Sequence, residues 1–194
     1  IPHQVVTIDE SSVLIVDDRQ RRWRLPLGDE NYTKLIGQDV VRICREVATE
    51  RDLFNCHGTF YELPAENADG YAKIRPIASH NFRINDYASY RGMLVMTGID
   101  PKKDKDNEHI IVSEDGKAAV WAGAIDDLWS MGKPTGKGGP WKNTLVKAGE
   151  VSDPYLIGFY DKKNLTLSHN SQKDVTFTIE IDPTGNGKWV NYTT

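Results

Sequence analysis

Short apolar runs separated by polar clusters recur along the whole chain. Residues 5–8 and 13–16 read as two strands of a hairpin, joined by the turn Asp9-Glu10-Ser11-Ser12. Arg21-Arg22-Trp23-Arg24-Leu25 alternates and adds a third strand, so the chain opens as a β-meander that Pro26 and Gly28 end. Residues 28–38 read as a loop. Residues 40–47 are rich in β-branched side chains and predict a strand rather than a short helix. A single helical turn capped by Thr49 is expected over 48–54, and residues 55–64 read as a polar loop feeding a short aromatic strand.

Further strands are expected at 71–77 and 93–99, the second apolar on both faces and therefore an inner strand, with Gly92 making the tight turn before it. Residues 101–108 form a charged, solvated loop. Residues 109–112 and 117–123 predict a hairpin through Glu114-Asp115-Gly116, and 126–131 a short helical turn. Strands at 155–160 and 165–168 follow. Residues 174–181 alternate Val175, Phe177, Ile179 and Ile181 against Thr176, Thr178 and Glu180, the cleanest half-buried strand pattern in the chain. A turn at 182–187 leads to a last strand at 188–192.

The fold class is mainly β, with antiparallel sheets in one β-rich domain over 1–194, propeller-like or a fragment of a propeller. A complete propeller needs about four strands in each of four or more blades, which is more sequence than this. Either a flanking segment or self-association completes the architecture, or the chain folds as an incomplete or different β-structure.

Composition narrows the function. The chain has 194 residues, 39% hydrophobic and 27% charged, which fits a globular protein with a sizeable core. Net charge is −4 with acids and bases interspersed, so no basic stripe invites duplex nucleic acid. No apolar run approaches the roughly 18 residues of a membrane span. The start Ile1-Pro2-His3-Gln4 lacks Met and reads as a trimmed piece, from which an extracellular or periplasmic location is expected. Cys44 and Cys56 can stand as free thiols or as a disulfide; free thiols are the default.

Two constellations could carry chemistry. The first joins His57, Glu62, Arg75, His80, Asp86 and Arg91. A glycosidase needs two carboxylates across a sugar, and Arg and His hold hydroxyls or carboxylates in place. The competing reading pairs Glu62 and Asp86 with nearby Arg. The second joins Asp126, Asp127 and Trp129 with Trp141, Lys142 and the run Ser152-Asp153-Pro154-Tyr155. Acids beside Trp suit a sugar ring that stacks on an aromatic and donates hydroxyl hydrogen bonds. Here the competing reading makes the Trp side chains core or lid groups and Asp126 a helix cap. The candidate catalytic residues are thus Glu62, Asp86 and Asp127. The candidate substrate-binding residues are His57, Arg75, His80, Arg91, Asp126, Trp129, Trp141 and Lys142.

His57 and His80 lie 23 positions apart without metal-ligand spacing, and no metal or other cofactor is implied. Residues 132–139 are Gly- and Lys-rich but depart from the phosphate-loop pattern, and 182–187 lacks the closing Glu of a calcium loop.

Residues 55–64 (Asn-Cys-His-Gly-Thr-Phe-Tyr-Glu-Leu-Pro), 84–98 and 141–160 resemble exported β-propeller-like proteins of uncharacterised function from polysaccharide-degrading bacteria. The resemblance runs from about Arg42 onward and carries no catalytic motif. Ser152-Asp153-Pro154-Tyr155 also resembles the blade-opening Asp-Pro of five-bladed glycosidase propellers. It implies a carbohydrate ligand, bound or hydrolysed at a loop face. The alternative is a non-catalytic glycan-binding, structural or assembly module.

Overall fold

The computed structural model describes residues 4–35, 41–103 and 106–193; parts of the loops expected at 28–38 and 101–108, and the first residue of the strand expected from Val40, lie outside them. The protein is mainly β, with four antiparallel sheets among the described residues. The first is the expected meander of β1 (Val5–Ile8), β2 (Val13–Val16) and β3 (Arg22–Leu25). Asp9 makes its first turn, because one carboxylate oxygen accepts from the N–H groups of Ser11 at 2.7 Å and Ser12 at 2.9 Å. Along β2 the pleat buries Val13 and Ile15 and leaves Leu14 and Val16 half-buried.

The second sheet runs in chain order through β4 (Val41–Glu46), β5 (Arg51–Cys56), β6 (Thr59–Glu62) and β7 (Arg75–Ser79). Here the structure corrects two expectations. No helical turn occupies 48–54: a turn at 47–50 leads straight into β5. Asn55 and Cys56 belong to that strand and are buried, rather than to a polar loop. The expected strand at 71–77 is confined to Arg75–Ser79.

The second sheet is covered on both faces. Leu53, Phe60 and Ile77 pack into one core with Tyr87, Leu94, Met96, Trp121 and Leu128 of the third sheet and its flank. Phe54, Cys56 and Tyr61 pack into another with Ile8, Val13, Ile15 and Leu25 of the first sheet. A strand buried on both faces needs no alternation, which is why β5 is hard to recognise.

The third sheet has the spatial order β10-β11-β9-β8, from β8 (Tyr87–Tyr90), β9 (Met93–Ile99), β10 (Ile110–Val112) and β11 (Ala119–Gly123). β9 is the inner strand expected, and Gly92 turns into it at φ +80°. A 3-10 helix at Ile125–Ser130 follows β11. The second and third sheets meet where β4 faces β8. The Tyr87 hydroxyl lies 2.8 Å from the carbonyls of both Arg42 and Leu53, and Val47 donates its N–H to the Ser89 hydroxyl at 3.0 Å. Glu46, buried, accepts from the N–H groups of Ala48 at 2.6 Å and Thr49 at 2.7 Å. Burial alone would raise the Glu46 carboxyl pKa. The hydrogen bonds from Thr49, Ala48 and Ser89 outweigh it and hold the pKa below the ordinary glutamate value.

The remainder is different in kind. The chain after 131 clips onto the first sheet through paired 2.8 Å hydrogen bonds between Leu27 and Lys137, and through a parallel bridge of Arg24 with Tyr155. The strands expected at 155–160 and 165–168 do not form, and that bridge is all that remains of the first. Of the 174–181 strand only β12 (Ile179–Ile181) forms, paired with β13 (Val190–Thr193) in a two-stranded sheet whose positions are half-buried or exposed. Among the described residues no helix is long and apolar enough to cross a membrane.

Candidate functional site

The end of the second sheet carries a buried polar knot. β5 and β6 are joined by His57 and Gly58, both in left-handed conformation at φ +49° and +79°, as a two-residue hairpin turn requires. Such turns usually face solvent, but this one is covered by the loop after β3. A Cβ on Gly58 would meet the Tyr32 ring at 2.9 Å and the His80 carbonyl at 3.0 Å. His57 is 3% exposed. Its Nδ1 accepts from the Gly28 N–H at 3.1 Å, so Nε2 carries the proton, and Nε2 is buried without a partner. His80 donates from Nε2 to the Asn55 side-chain oxygen at 2.8 Å, and the Tyr32 hydroxyl lies 3.4 Å from Nδ1. Burial lowers the pKa of both imidazoles, that of His80 to about 4, so both are neutral near pH 7.

This knot backs a cleft of about 860 Å³. One wall comes from the end of β7 and the residues after it, Ser79 to Phe82. Another comes from the run Asp106-Asn107-Glu108-His109 ahead of β10 and from Trp121 on β11. Asp29 closes one side, and Ser130, Met131, Lys133 and Thr135 the other. His109 stacks obliquely on Trp121 with ring centres 4.9 Å apart, and its Nδ1 lies 3.2 Å from the Ala122 carbonyl. Lys133 reaches Asp161 at 2.5 Å. Ser79 and Thr135 tie the walls together: the Ser79 hydroxyl donates to the Thr135 carbonyl at 3.1 Å and accepts from the Thr135 N–H at 2.9 Å.

A second, smaller cleft of about 490 Å³ lies between the β1–β2 turn and residues 140–153. Trp141 and Lys142 line it with Arg22, Arg24, Asp9 and Asp153. Asp153 is gripped by Arg22 at 2.9 and 3.2 Å and by Arg24 at 2.7 Å. Burial would raise its carboxyl pKa, and the two guanidinium groups outweigh that and lower it. The Lys142 ammonium donates to the Glu10 carbonyl at 3.0 Å.

The two constellations read from the sequence are therefore divided. Of the first, only His80 lines a cleft, with His57 behind it. Glu62 accepts from Arg75 at 2.6 and 3.2 Å across the β6–β7 pair. Asp86 pairs with Arg42 at the seam of the second and third sheets, and that guanidinium, helped by the Tyr87 N–H, lowers its pKa. Arg91 lies in the β8–β9 turn against the Tyr90 ring. Of the second constellation, Trp141 and Lys142 stand at the smaller cleft, while the acidic part stays on the 3-10 helix. Asp127, not Asp126, does the capping: it accepts from the Ala124 N–H at 2.6 Å. Asp126 is exposed and reaches Arg51 at 3.4 Å, and Trp129 is exposed. Glu62, Asp86 and Asp127 line neither cleft.

Asp29, His109, Lys133 and Thr135 belong to the larger cleft but carry no motif. The charged run before His109 reads as a solvated loop, and only its packing beside Trp121 gives it a wall to form. Among the described residues no cluster of three or more His, Cys, Asp and Glu side chains forms a metal site. Cys44 and Cys56 are free thiols, since the β4–β5 register sets Cys44 opposite Leu53 and Cys56 opposite Val41. No protein-family model, curated protein or solved structure matches the chain.

Proposed function

We propose that the protein binds a glycan in the cleft between its second and third sheets, as a non-catalytic module. The consecutive sheets would then be blades of a propeller-like fold, and the ligand would be met outside the cell. The observation that carries this reading is the cleft's lining. Carboxylate, amide, imidazole, hydroxyl and ammonium groups surround a space of about 860 Å³ walled in part by the half-buried Phe82 ring. Sugar recognition needs that combination, since sugar hydroxyls accept hydrogen bonds from donors and give them to acceptors while the ring face rests on an aromatic. Support for the propeller-like arrangement comes from the stacking of the first three sheets through two separate cores.

Binding is preferred to hydrolysis because none of the three candidate acids lines the cleft, Asp127 standing behind His109 at 3.9 Å from its Nδ1. Glu62 is held by Arg75, Asp86 by Arg42, and Asp127 by the helix start. Calorimetric titration with a panel of neutral and charged oligosaccharides tests the reading. At least one ligand is expected to bind, and His109→Ala to weaken it about tenfold or more, the loss of roughly one hydrogen bond and one ring contact. Absence of binding across the panel, or binding untouched by His109→Ala and Lys133→Ala together, would overturn it.

A further inference from the structure

The β5–β6 turn holds the segment after β3 by a bond whose acceptor can titrate. Gly28 donates its N–H to Nδ1 of His57 at 3.1 Å. The fit there is close, because a Cβ on Gly28 would meet the His57 carbonyl at 2.3 Å and the Thr59 hydroxyl at 2.8 Å. One residue earlier the grip is of another kind. Leu27 exchanges paired 2.8 Å bonds with Lys137, between backbone groups that do not titrate. One residue later stands Asp29, which lines the cleft between the second and third sheets. Tyr32 follows, buried, with its N–H on the Asp29 carbonyl at 3.1 Å and its hydroxyl 3.4 Å from Nδ1 of His80.

We propose that this contact is an acid-responsive latch, in which protonation of His57 at Nδ1 unhooks Gly28 and shifts residues 28–32, carrying Asp29 away from the cleft wall. The lone pair of the neutral ring is taken by the Gly28 N–H. A protonated imidazole has an N–H on both nitrogens and no acceptor. A backbone N–H cannot reverse its role, so two donors would face each other across 3.1 Å. On the far side of the ring Nε2 is buried with no partner among the described residues, so the cation finds no acceptor there either. The ring therefore gains its proton only as the segment moves. The Tyr32–His80 contact is less sensitive, because a hydroxyl can rotate and accept from a protonated Nδ1. Two charges act on His57. Asp29, on the moving segment, favours a charged ring, and Lys137, on the chain after 131 and paired with Glu30, opposes it. Cys56 on β5, Tyr32, and His80 after β7 are kept neutral near pH 7 by burial. Burial also lowers the His57 pKa while the segment is closed. The latch is thus shut above the ordinary histidine value of 6.5 and loosens as pH falls below it. It does not depend on what the cleft binds.

Amide hydrogen exchange resolved by NMR at pH 7 and pH 5, corrected for the intrinsic rate at each pH, tests the proposal. The Gly28 and Tyr32 amides are expected to lose about tenfold or more of their protection at pH 5. Leu27 and the amides of β5 and β6 are expected to keep theirs. In the unaltered protein the Gly28 amide shift should follow the titration of the His57 ring with one midpoint, a reading that needs no variant. His57→Asn suits the left-handed turn position and carries no titrating ring, so its Gly28 protection should be alike at both pH values. His80→Gln is expected to keep the acid response. Gly28 protection that does not change with pH would overturn the proposal, as would equal loss at Leu27 and across β5. So would a Gly28 shift that ignores the His57 titration, a response that survives His57→Asn, or one abolished by His80→Gln.

Discussion

Strand β5 and the 174–181 stretch reverse what their sequences suggest. β5, Arg-Asp-Leu-Phe-Asn-Cys, has no apolar alternation and includes an Asn, yet its last four residues are buried. The 174–181 stretch alternates without a break, yet only three of its residues form a strand and none is buried. The difference lies in coverage. β5 sits between β4 and β6 with a core on each face, so both sets of side chains leave water and even Asn55 is used, as acceptor for His80. The later stretch has one short partner, and among the described residues its side chains stay half-buried or exposed. Alternation reports which face could be buried; the presence of a neighbouring strand and a second layer decides whether it is.

The sharpest way to break this contrast is truncation of one large apolar group in each region. Phe54→Ala is expected to lower unfolding stability by about 3–5 kcal/mol, the usual range for a fully buried aromatic. Denaturant unfolding reads it directly, and a loss below about 1 kcal/mol would remove the claim that β5 lies between two cores.

Next in size is the pH response of the buried imidazoles. The unfolded chain binds a proton at His80 near pH 6.5, whereas burial lowers the native pKa to about 4. The unfolded state therefore takes up more protons between those values. The contribution is complete above pH 6.5 and is lost as pH falls toward 4, by roughly 3 kcal/mol in all. His57, whose pKa burial also lowers, acts in the same direction. Stability measured across that window should flatten in His80→Gln relative to the parent; equal slopes would show that His80 is not buried as described.

Glu46→Ala is expected to cost about 1–3 kcal/mol, since it removes the charged acceptor of the Ala48 and Thr49 N–H groups and loosens the seam with Ser89. The smallest effect belongs to the open region. Leu145 is 90% exposed, and Leu145→Ala should change stability by no more than about 0.5 kcal/mol. A cost of several kcal/mol there would mean that the 140–193 region is as tightly packed as the sheets.

The legible parts of the molecule were those in which local chemistry and burial agree. β1 and β2 fall on 5–8 and 13–16 because one face of β2 is buried and Asp9 makes its own turn. β9 falls on 93–99, with Gly92 at positive φ before it. The candidate site was less legible. His80 could be singled out as a polar group between strands, but its partners Tyr32 and Asn55 are 48 and 25 residues away in sequence. Asp86 and Asp127 look alike as acids at element ends. One is held by a guanidinium from another sheet, and the other by the N–H of its own helix start.

Residue order therefore settles the β-rich class, the placing of turns and most short strands, and the absence of a long apolar helix among the described residues, because these follow from side-chain period and backbone preference within a few residues. Tertiary packing decides which strands are covered, which acids are neutralised by an Arg, and that Asp29, His80, His109 and Lys133 share a cleft. Those outcomes depend on side chains dozens of positions apart meeting in a low-dielectric interior, where a partner's presence or absence changes both burial and charge.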